Sequence, residues 1–269
     1  MSDAEPARVP LRARREPPKF RSVEVERVVP SSPRLLCITL TGPALSGFAV
    51  EEPAASVRLL LPASPGEDLV VPIWNGNEFL LPDGRRPTIR TFTPRRFDPD
   101  TLELDVEAVI HGAGVASQWA LAAKPGTPAA ISGPGRGYTI DADAPGFLLA
   151  GDETAIPAIS QLLEVLPPET PTQVHIEIAQ VDARIALPHH ASAAVEWYEQ
   201  AAGGAPGNAL VAAVVAAEFV PGTRVWVAGE AAAVQRIRRH LFDERGLTRA
   251  GTTVRGYWKH GRAGDDDEK

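Results

Sequence analysis

Along the first half of the chain, hydrophobic positions come in short alternating or aliphatic runs, with Pro, Gly, Asn and Asp between them. Residues 22–29, 35–41, 56–61, 88–93 and 102–110 each have strand length and β-branched or aliphatic content. Strands at this spacing predict a closed antiparallel barrel, because closure removes the exposed edges of a small open sheet. One helix interrupts the pattern at 115–123, where alanine-rich sequence follows Gly112 and Gly114. After Pro145-Gly146 the rhythm changes to alternating strand and helix. Strands are predicted at 147–150, 173–180, 195–198, 223–228 and 252–258, and helices at 154–166, 209–218 and 231–245, the last with basic residues on one side. Such alternation predicts a parallel sheet covered by helices, an architecture that binds nucleotides at the carboxyl ends of its strands. The fold class expected is a β-barrel followed by an α/β domain, with no internal repeat.

The chain ends differ from this pattern. Residues 1–18 are rich in Pro, Arg and Glu and lack apolar periodicity, so they read as a mobile tail, and 263–269 read as an acidic one. The organisation expected is thus a tail at 1–18, a barrel domain at 19–143, an α/β domain at 144–262 and a tail at 263–269. A formal net charge of −7 over 269 residues gives the whole chain no electrostatic footprint for nucleic acid, so an anionic ligand must meet a local cluster of Arg and Lys. The single cysteine, Cys37, excludes an intrachain disulfide, a cysteine-based zinc site and a protein-held iron–sulfur cluster. No apolar signal core or membrane-length run is present, so a cytoplasmic protein without membrane insertion is expected.

Candidate chemistry concentrates between residues 86 and 117. Arg90 offers a planar fork for phosphate oxygens, Phe92 a flat surface for stacking on an isoalloxazine ring, and Thr93 a hydroxyl for a ring nitrogen. Strand alternation puts Arg90 and Phe92 on one face and Thr91 and Thr93 on the other. Further on, Gly112 and Gly114 permit close backbone approach, and the helix after them points its N–H groups and positive dipole end at whatever lies before it, with Ser117 in its first turn. His111 reads as a cofactor contact without an acid–base role. Each half alone equally describes an exposed arginine at a strand end or an ordinary glycine-containing helix cap.

Together with other segments these residues carry a resemblance. Arg-Thr-Phe-Thr-Pro-Arg (90–95), His-Gly-Ala-Gly-Val-Ala-Ser-Gln-Trp-Ala (111–120), Ile-Ser-Gly-Pro-Gly (131–135), Ala-Gly-Asp-Glu-Thr-Ala-Ile-Pro-Ala-Ile (150–159), Trp-Val-Ala-Gly-Glu (226–230) and Gly-Tyr-Trp-Lys-His-Gly (256–261) resemble, in order, the siderophore-interacting protein family. Members of that family are flavin-dependent ferric-siderophore reductases of the ferredoxin-reductase-like superfamily. The resemblance implies an FAD-binding barrel followed by an NAD(P)H-binding-like domain. It implies that Arg90, Thr91, Phe92 and Thr93 line the FAD, with Phe92 where tyrosine is usual. The missing hydroxyl removes a hydrogen bond worth on the order of 1 kcal/mol and keeps the stacking surface. Val109 and His111 would lie along the isoalloxazine edge, and Gly114, Ala116 and Ser117 would hold the pyrophosphate. Asp152, Glu153 and Thr154 would lie where a nicotinamide approaches the flavin, with Ala155 a further cofactor contact, although Asp152 or Thr154 equally suits a helix N-cap.

No Gly-x-Gly-x-x-Gly fingerprint follows the strand before Asp152, so the donor is left open between NADH, NADPH and a ferredoxin. For the substrate, the resemblance points to Arg58 as a basic residue facing an anionic siderophore, with Arg136, Arg255 and Lys259 as further members of a basic rim. No resident metal and no side-chain nucleophile is expected, because the cofactor carries the chemistry. The alternatives are a flavin reductase whose partner is ferredoxin, flavodoxin or free flavin, and a flavin-containing protein that binds siderophore without turning it over.

Overall fold

A computed structural model of the chain describes residues 19–64, 66–76, 78–112 and 114–261, so the tails expected at 1–18 and 263–269 lie outside the described residues. The barrel half contains β1 (Arg21–Ser32), β2 (Leu35–Thr41), β3 (Val57–Leu61), the short pair β4 (Ile73–Trp74) and β5 (Phe79–Leu80), β6 (Thr88–Phe92), β7 (Pro94–Asp98), β8 (Glu103–Val109), α1 (Val115–Ala122) and β9 (Pro128–Ser132). Seven of these strands form one antiparallel sheet in the order β6-β3-β9-β1-β2-β8-β7. Its two outer strands, β6 and β7, are consecutive and joined through Thr93 alone, so the sheet rolls up until its edges meet along the chain. Alternation decides what fills it. On β8, Leu104, Val106 and Ala108 point inward and join Ile38 and Leu40 of β2, Leu59 of β3 and Ile131 of β9 in the barrel core.

The second half contains β10 (Phe147–Asp152), α2 (Ile156–Val165), β11 (Thr172–Ile178), β12 (Ala193–Glu199), α3 (Asn208–Ala216), β13 (Arg224–Glu230), α4 (Ala231–Arg239) and β14 (Thr252–Trp258). The five strands pair in parallel in the order β12-β11-β10-β13-β14. β10 is central and buried along its whole length, which explains its unbroken apolar run. Phe147 and Leu149 join one core cluster with residues of α2, while Leu148 and Ala150 join another with residues of α3 and α4. The helix read at 231–245 divides, α4 ending at Arg239 and one π-helical turn following at His240–Glu244. No helix among the described residues is long and apolar enough to cross a membrane.

The halves share packing. Leu35 and Ala54 of the barrel half belong to the core cluster under α2, and Val109 packs against it. Gln161 of α2 accepts from Ala54 N at 2.9 Å and donates to Pro94 O at 2.7 Å, and Arg95 grips Glu164 through two hydrogen bonds of 2.9 and 2.6 Å. These contacts hold α2 against the barrel half.

Candidate functional site

β6 supplies the first wall. Pairing with β3 sets Arg90 opposite Leu59 and Phe92 opposite Val57, so both lie on the core-facing register, and Phe92 packs its half-buried ring against the barrel core. Nη1 of Arg90 donates to Ile89 O at 2.8 Å. Thr91 is exposed and lies opposite Arg58, which in turn lies opposite Ser132 on β9, so Arg58, Thr91 and Ser132 form one row across the other face. Thr93 is buried, and its hydroxyl is hydrogen-bonded to Tyr257, whose phenol burial pushes up to about 12. The structure therefore ties Thr93 to the α/β half.

The β8–α1 turn supplies the second element. Val109 ends β8, and the exposed His111 follows it. Gly112 takes a φ of 46°, a conformation that favours glycine, whereas Gly114 at the N-cap of α1 is extended. A Cβ on Gly114 would meet His111 Cε1 at 3.2 Å. Ser117 is buried; its hydroxyl donates to Val109 O at 3.2 Å and accepts from His111 N at 3.1 Å. That side chain holds the shape of the turn, and what the first turn of α1 offers outward is its backbone N–H groups, with Ala116 half-buried beside them.

The helix N-termini differ in what fills them. No side chain caps α1, and its first turn contains no acidic residue. In the α/β half, Asp152 accepts from Thr154 N at 2.9 Å ahead of α2, Glu177 accepts from Gly207 N and Leu210 N at 2.5 and 2.8 Å around the start of α3, and Glu230 accepts from Ala233 N at 2.9 Å on α4. A carboxylate thus meets the N–H groups at the start of α3 and α4 and of the 3-10 turn Glu153–Ala155 that leads into α2, whereas no side chain among the described residues caps α1. The donor set at Gly114, Ala116 and Ser117 fits the pyrophosphate of FAD.

Opposite this turn stand the carboxyl ends of β10, β13 and β14. Asp152 is buried, with Oδ1 accepting from Thr154 N and from Thr154 Oγ1 at 2.5 Å, and Oδ2 accepting from Glu230 N at 2.8 Å and Trp258 Nε1 at 2.7 Å. Burial pushes its pKa up, and these donors act against that shift. Gly229 permits the approach: its φ is 151°, and a Cβ there would lie 2.6 Å from Asp152 Oδ2. Trp258, held by Asp152, stacks on His111 with centroids 6.1 Å apart and planes at 27°, which brings the two walls into contact. The His111 pKa is lowered by desolvation of the ring and then by the Arg34 charge, with Glu153 opposing. Ala155 is fully buried, and a Cβ on Gly151 would lie 2.3 Å from its Cβ, so it shapes the turn without reaching the surface.

The basic residues separate. Arg136 and Lys259 are exposed and Arg58 is half-buried on the outer row of the sheet. Arg255 instead donates from Nη1 to Ala54 O at 3.2 Å and from Nη2 to Gly137 O at 3.1 Å, joining the halves. Cavities of about 440 and 390 Å³ lie elsewhere, one along Phe48, Phe97 and Gln161, the other along Arg238, Phe242 and Arg249. Arg34, Glu230 and Trp258 were not among the site residues read from sequence. The signal for Trp258 was its place in Gly256-Tyr257-Trp258 at the carboxyl end of the last strand; Arg34 is remote in sequence and gave none.

Comparison with known proteins agrees with this architecture. Residues 24–138 match the siderophore-interacting FAD-binding domain family and residues 144–261 the siderophore-interacting protein family. The chain is 38% identical over 68% of its length to an uncharacterized protein of Mycobacterium tuberculosis, covering 69% of that protein. It is 30% identical to the ferric vibriobactin reductase ViuB of Vibrio cholerae over 90% of this chain and 93% of that one. Among solved structures, a siderophore utilization protein from T. fusca superposes with a TM-score of 0.81 at 33% identity, covering 92% of this chain and 95% of that one. The cytochrome b5 reductase domain of Ulva prolifera nitrate reductase, with a TM-score of 0.62 at 12% identity over 89% of this chain and 97% of that one, shares the fold alone. The antiparallel sheet followed by a parallel one is the ferredoxin-reductase-like arrangement, and the chain belongs to the siderophore-interacting protein family.

Proposed function

We propose that this protein is a FAD-dependent ferric-siderophore reductase. The observation that carries the reading is the uncapped N-terminus of α1, which faces the wall built by Asp152 and Trp258. When bound there, FAD supplies the means of taking electrons from a donor and handing them singly to Fe(III). In this reading the N–H groups at Gly114, Ala116 and Ser117 hold the pyrophosphate, Arg90 adds a cation, Phe92 gives the ring a stacking surface, Thr91 adds a hydroxyl, and Thr93 ties the strand end to Tyr257. Val109 and His111 border the isoalloxazine. Asp152, Thr154 and Ala155 shape the opposing turn. The exposed Arg136 and Lys259, with Arg58, attract the anionic siderophore, and Arg255 aligns the halves.

Fe(II) is bound less tightly than Fe(III) by hard oxygen ligands, so one-electron reduction releases the iron. The name of the Vibrio cholerae relative supports this acceptor. NAD(P)H or a small redox protein supplies the electrons. The carboxylates at the starts of α3, α4 and the 3-10 turn before α2 favour the redox protein, since a dinucleotide pyrophosphate would meet negative charge at each of them.

The test is anaerobic. Flavin-loaded protein is reduced with NADH, NADPH, reduced ferredoxin or dithionite, then mixed with ferric siderophore in the presence of an Fe(II) chelator. Return of the oxidised-flavin absorbance together with formation of the Fe(II) complex is expected. Reduced protein that keeps its electrons in the presence of ferric siderophore would leave only a binding role or a flavin reductase with another acceptor.

A further inference from the structure

Arg34 lies in the tight turn between β1 and β2, beside Leu35, which enters the α/β core. Its guanidinium grips Glu153, with Nε at 3.0 and 2.9 Å from the two carboxylate oxygens and Nη2 at 2.9 Å from Oε2. Glu153 stands directly after Asp152, and its Oε1 also accepts from Ala179 N at 2.7 Å, just past the end of β11. The Arg34 carbonyl accepts from Ile110 N at 2.7 Å, one residue before His111. One residue therefore holds both walls of the cleft, by its backbone on the β8–α1 turn and by its side chain on the turn after β10.

The setting of this pair is unlike that of the Arg95–Glu164 bridge. The Arg34 and Glu153 side chains are 23% and 10% exposed, so solvent screens their attraction little, whereas Glu164 in the Arg95 pair is 42% exposed. Arg95–Glu164 joins β7 to α2, away from both turns, while Arg34–Glu153 spans them.

We propose that Arg34 and Glu153 form a positioning pair that sets the approach of the electron donor to the flavin, an inference that rests on the flavin-reductase reading. Transfer between a donor and a ring depends steeply on their separation, and a misplacement near 1 Å can cost on the order of a hundredfold in rate. A bidentate fork suits this task, because it fixes the orientation of the carboxylate as well as its distance. In the proposed reading the acceptor side depends on Arg58, Arg136 and Lys259, residues distinct from the pair.

The experiment separates the two half-reactions in flavin-loaded Arg34→Ala, Arg34→Lys, Glu153→Gln and the double variant Arg34→Ala/Glu153→Gln. Reduction by NADH, NADPH or reduced ferredoxin is expected to slow by about tenfold to a hundredfold in Arg34→Ala and Glu153→Gln, and less in Arg34→Lys, which keeps the charge and loses the fork. The double variant is expected to be no slower than the worse single one, as for two groups acting as a unit. Reoxidation of dithionite-reduced variants by ferric siderophore is expected to stay within about twofold of wild type. The pair also flanks His111, so its imidazole titration, followed by NMR, should move up without Arg34 and down without the Glu153 charge. Parallel loss of flavin, thermal stability and both half-reactions, Arg34→Lys included, would reduce the pair to a structural clasp and overturn the proposal, as would unchanged donor rates in all variants. Should the wild type accept electrons from none of these donors, the reductase reading itself fails; His111 titrations that still shift in opposite directions would then show that the pair spans the cleft without a redox role.

Discussion

Asp152 has every lone-pair direction occupied by a donor, two from Thr154, one from Glu230 N and one from Trp258 Nε1. A proton would displace one of these bonds, so the anion is the form that the site is built to hold even though burial pushes its pKa up. Asp152→Asn keeps one acceptor oxygen and turns an NH2 group toward N–H or O–H donors. Leaving buried donors unpaired costs about 3 kcal/mol, equivalent to a fall in melting temperature of roughly 6–12 °C for a chain of this size. The change should also release Trp258 and shift its fluorescence. A variant with wild-type melting and emission would show that these bonds contribute little. The sequence made Asp152 legible as a cap, since an aspartate after an apolar strand and two residues before a helix is a common cap position. Its reach to Trp258 was not legible, because the contact crosses to a strand more than a hundred residues away and depends on Gly229 giving it room.

Elements with strong alternation were readable, and some of those without it were not. β8 alternates inward and outward at every residue, while β14 begins and ends where the sequence reads it, at 252 and 258, without such alternation. β7, with Pro94 and two arginines, and β9, with two alanines, lack that contrast; pairing to β8, β1 and β3 makes them strands. β12, at the edge of the parallel sheet, contains a further element-level feature. Tyr198 donates to Glu196 Oε2 at 2.7 Å, so its 2.9 Å contact with His175 on the neighbouring β11 requires Nδ1 of the histidine to be the donor. Nε2 is then an acceptor, buried without a hydrogen-bond partner. Protonating it would bury an N–H with no acceptor, in keeping with a His175 pKa lowered chiefly by burial. A histidine with a depressed folded pKa stabilises the fold above its unfolded value of about 6.5, and this stability is lost as pH falls through the folded value. His175→Asn keeps a donor near the Nδ1 position and removes the titration. Urea unfolding should therefore show wild type losing more stability than His175→Asn between about pH 7 and about pH 5, with a slope of at most about 1.4 kcal/mol per pH unit. Identical pH profiles would rule His175 out as the source.

At the scale of the whole molecule, the docking of the halves is written in the parity of two strands. On β2, Leu36, Ile38 and Leu40 face the barrel core, so Leu35 faces outward; on β8, Leu104, Val106 and Ala108 face in, so Val109 faces outward. Leu35 and Val109 are direct partners across the two strands, and both pack against the core beneath α2. An apolar residue on the outer face of each strand was visible in the sequence, but period-two alternation says only that something covers it, not that the cover is the other half of the same chain. Because Leu35 is 3% exposed and completes a core built mostly from the α/β half, truncating it should weaken a domain to which it does not belong in sequence. Leu35→Ala is expected to cost about 2–5 kcal/mol. Interfaces that are small and polar let domains move independently, whereas a shared apolar core couples their unfolding. Calorimetry of the wild type should accordingly show one cooperative transition, and Leu35→Ala should split it, with the parallel-sheet half melting first and becoming open to protease at α2. A single transition at the wild-type temperature in the variant would mean that Gln161, Arg95 and Arg255 hold the halves together without it, and that the cleft geometry depends on those polar ties instead.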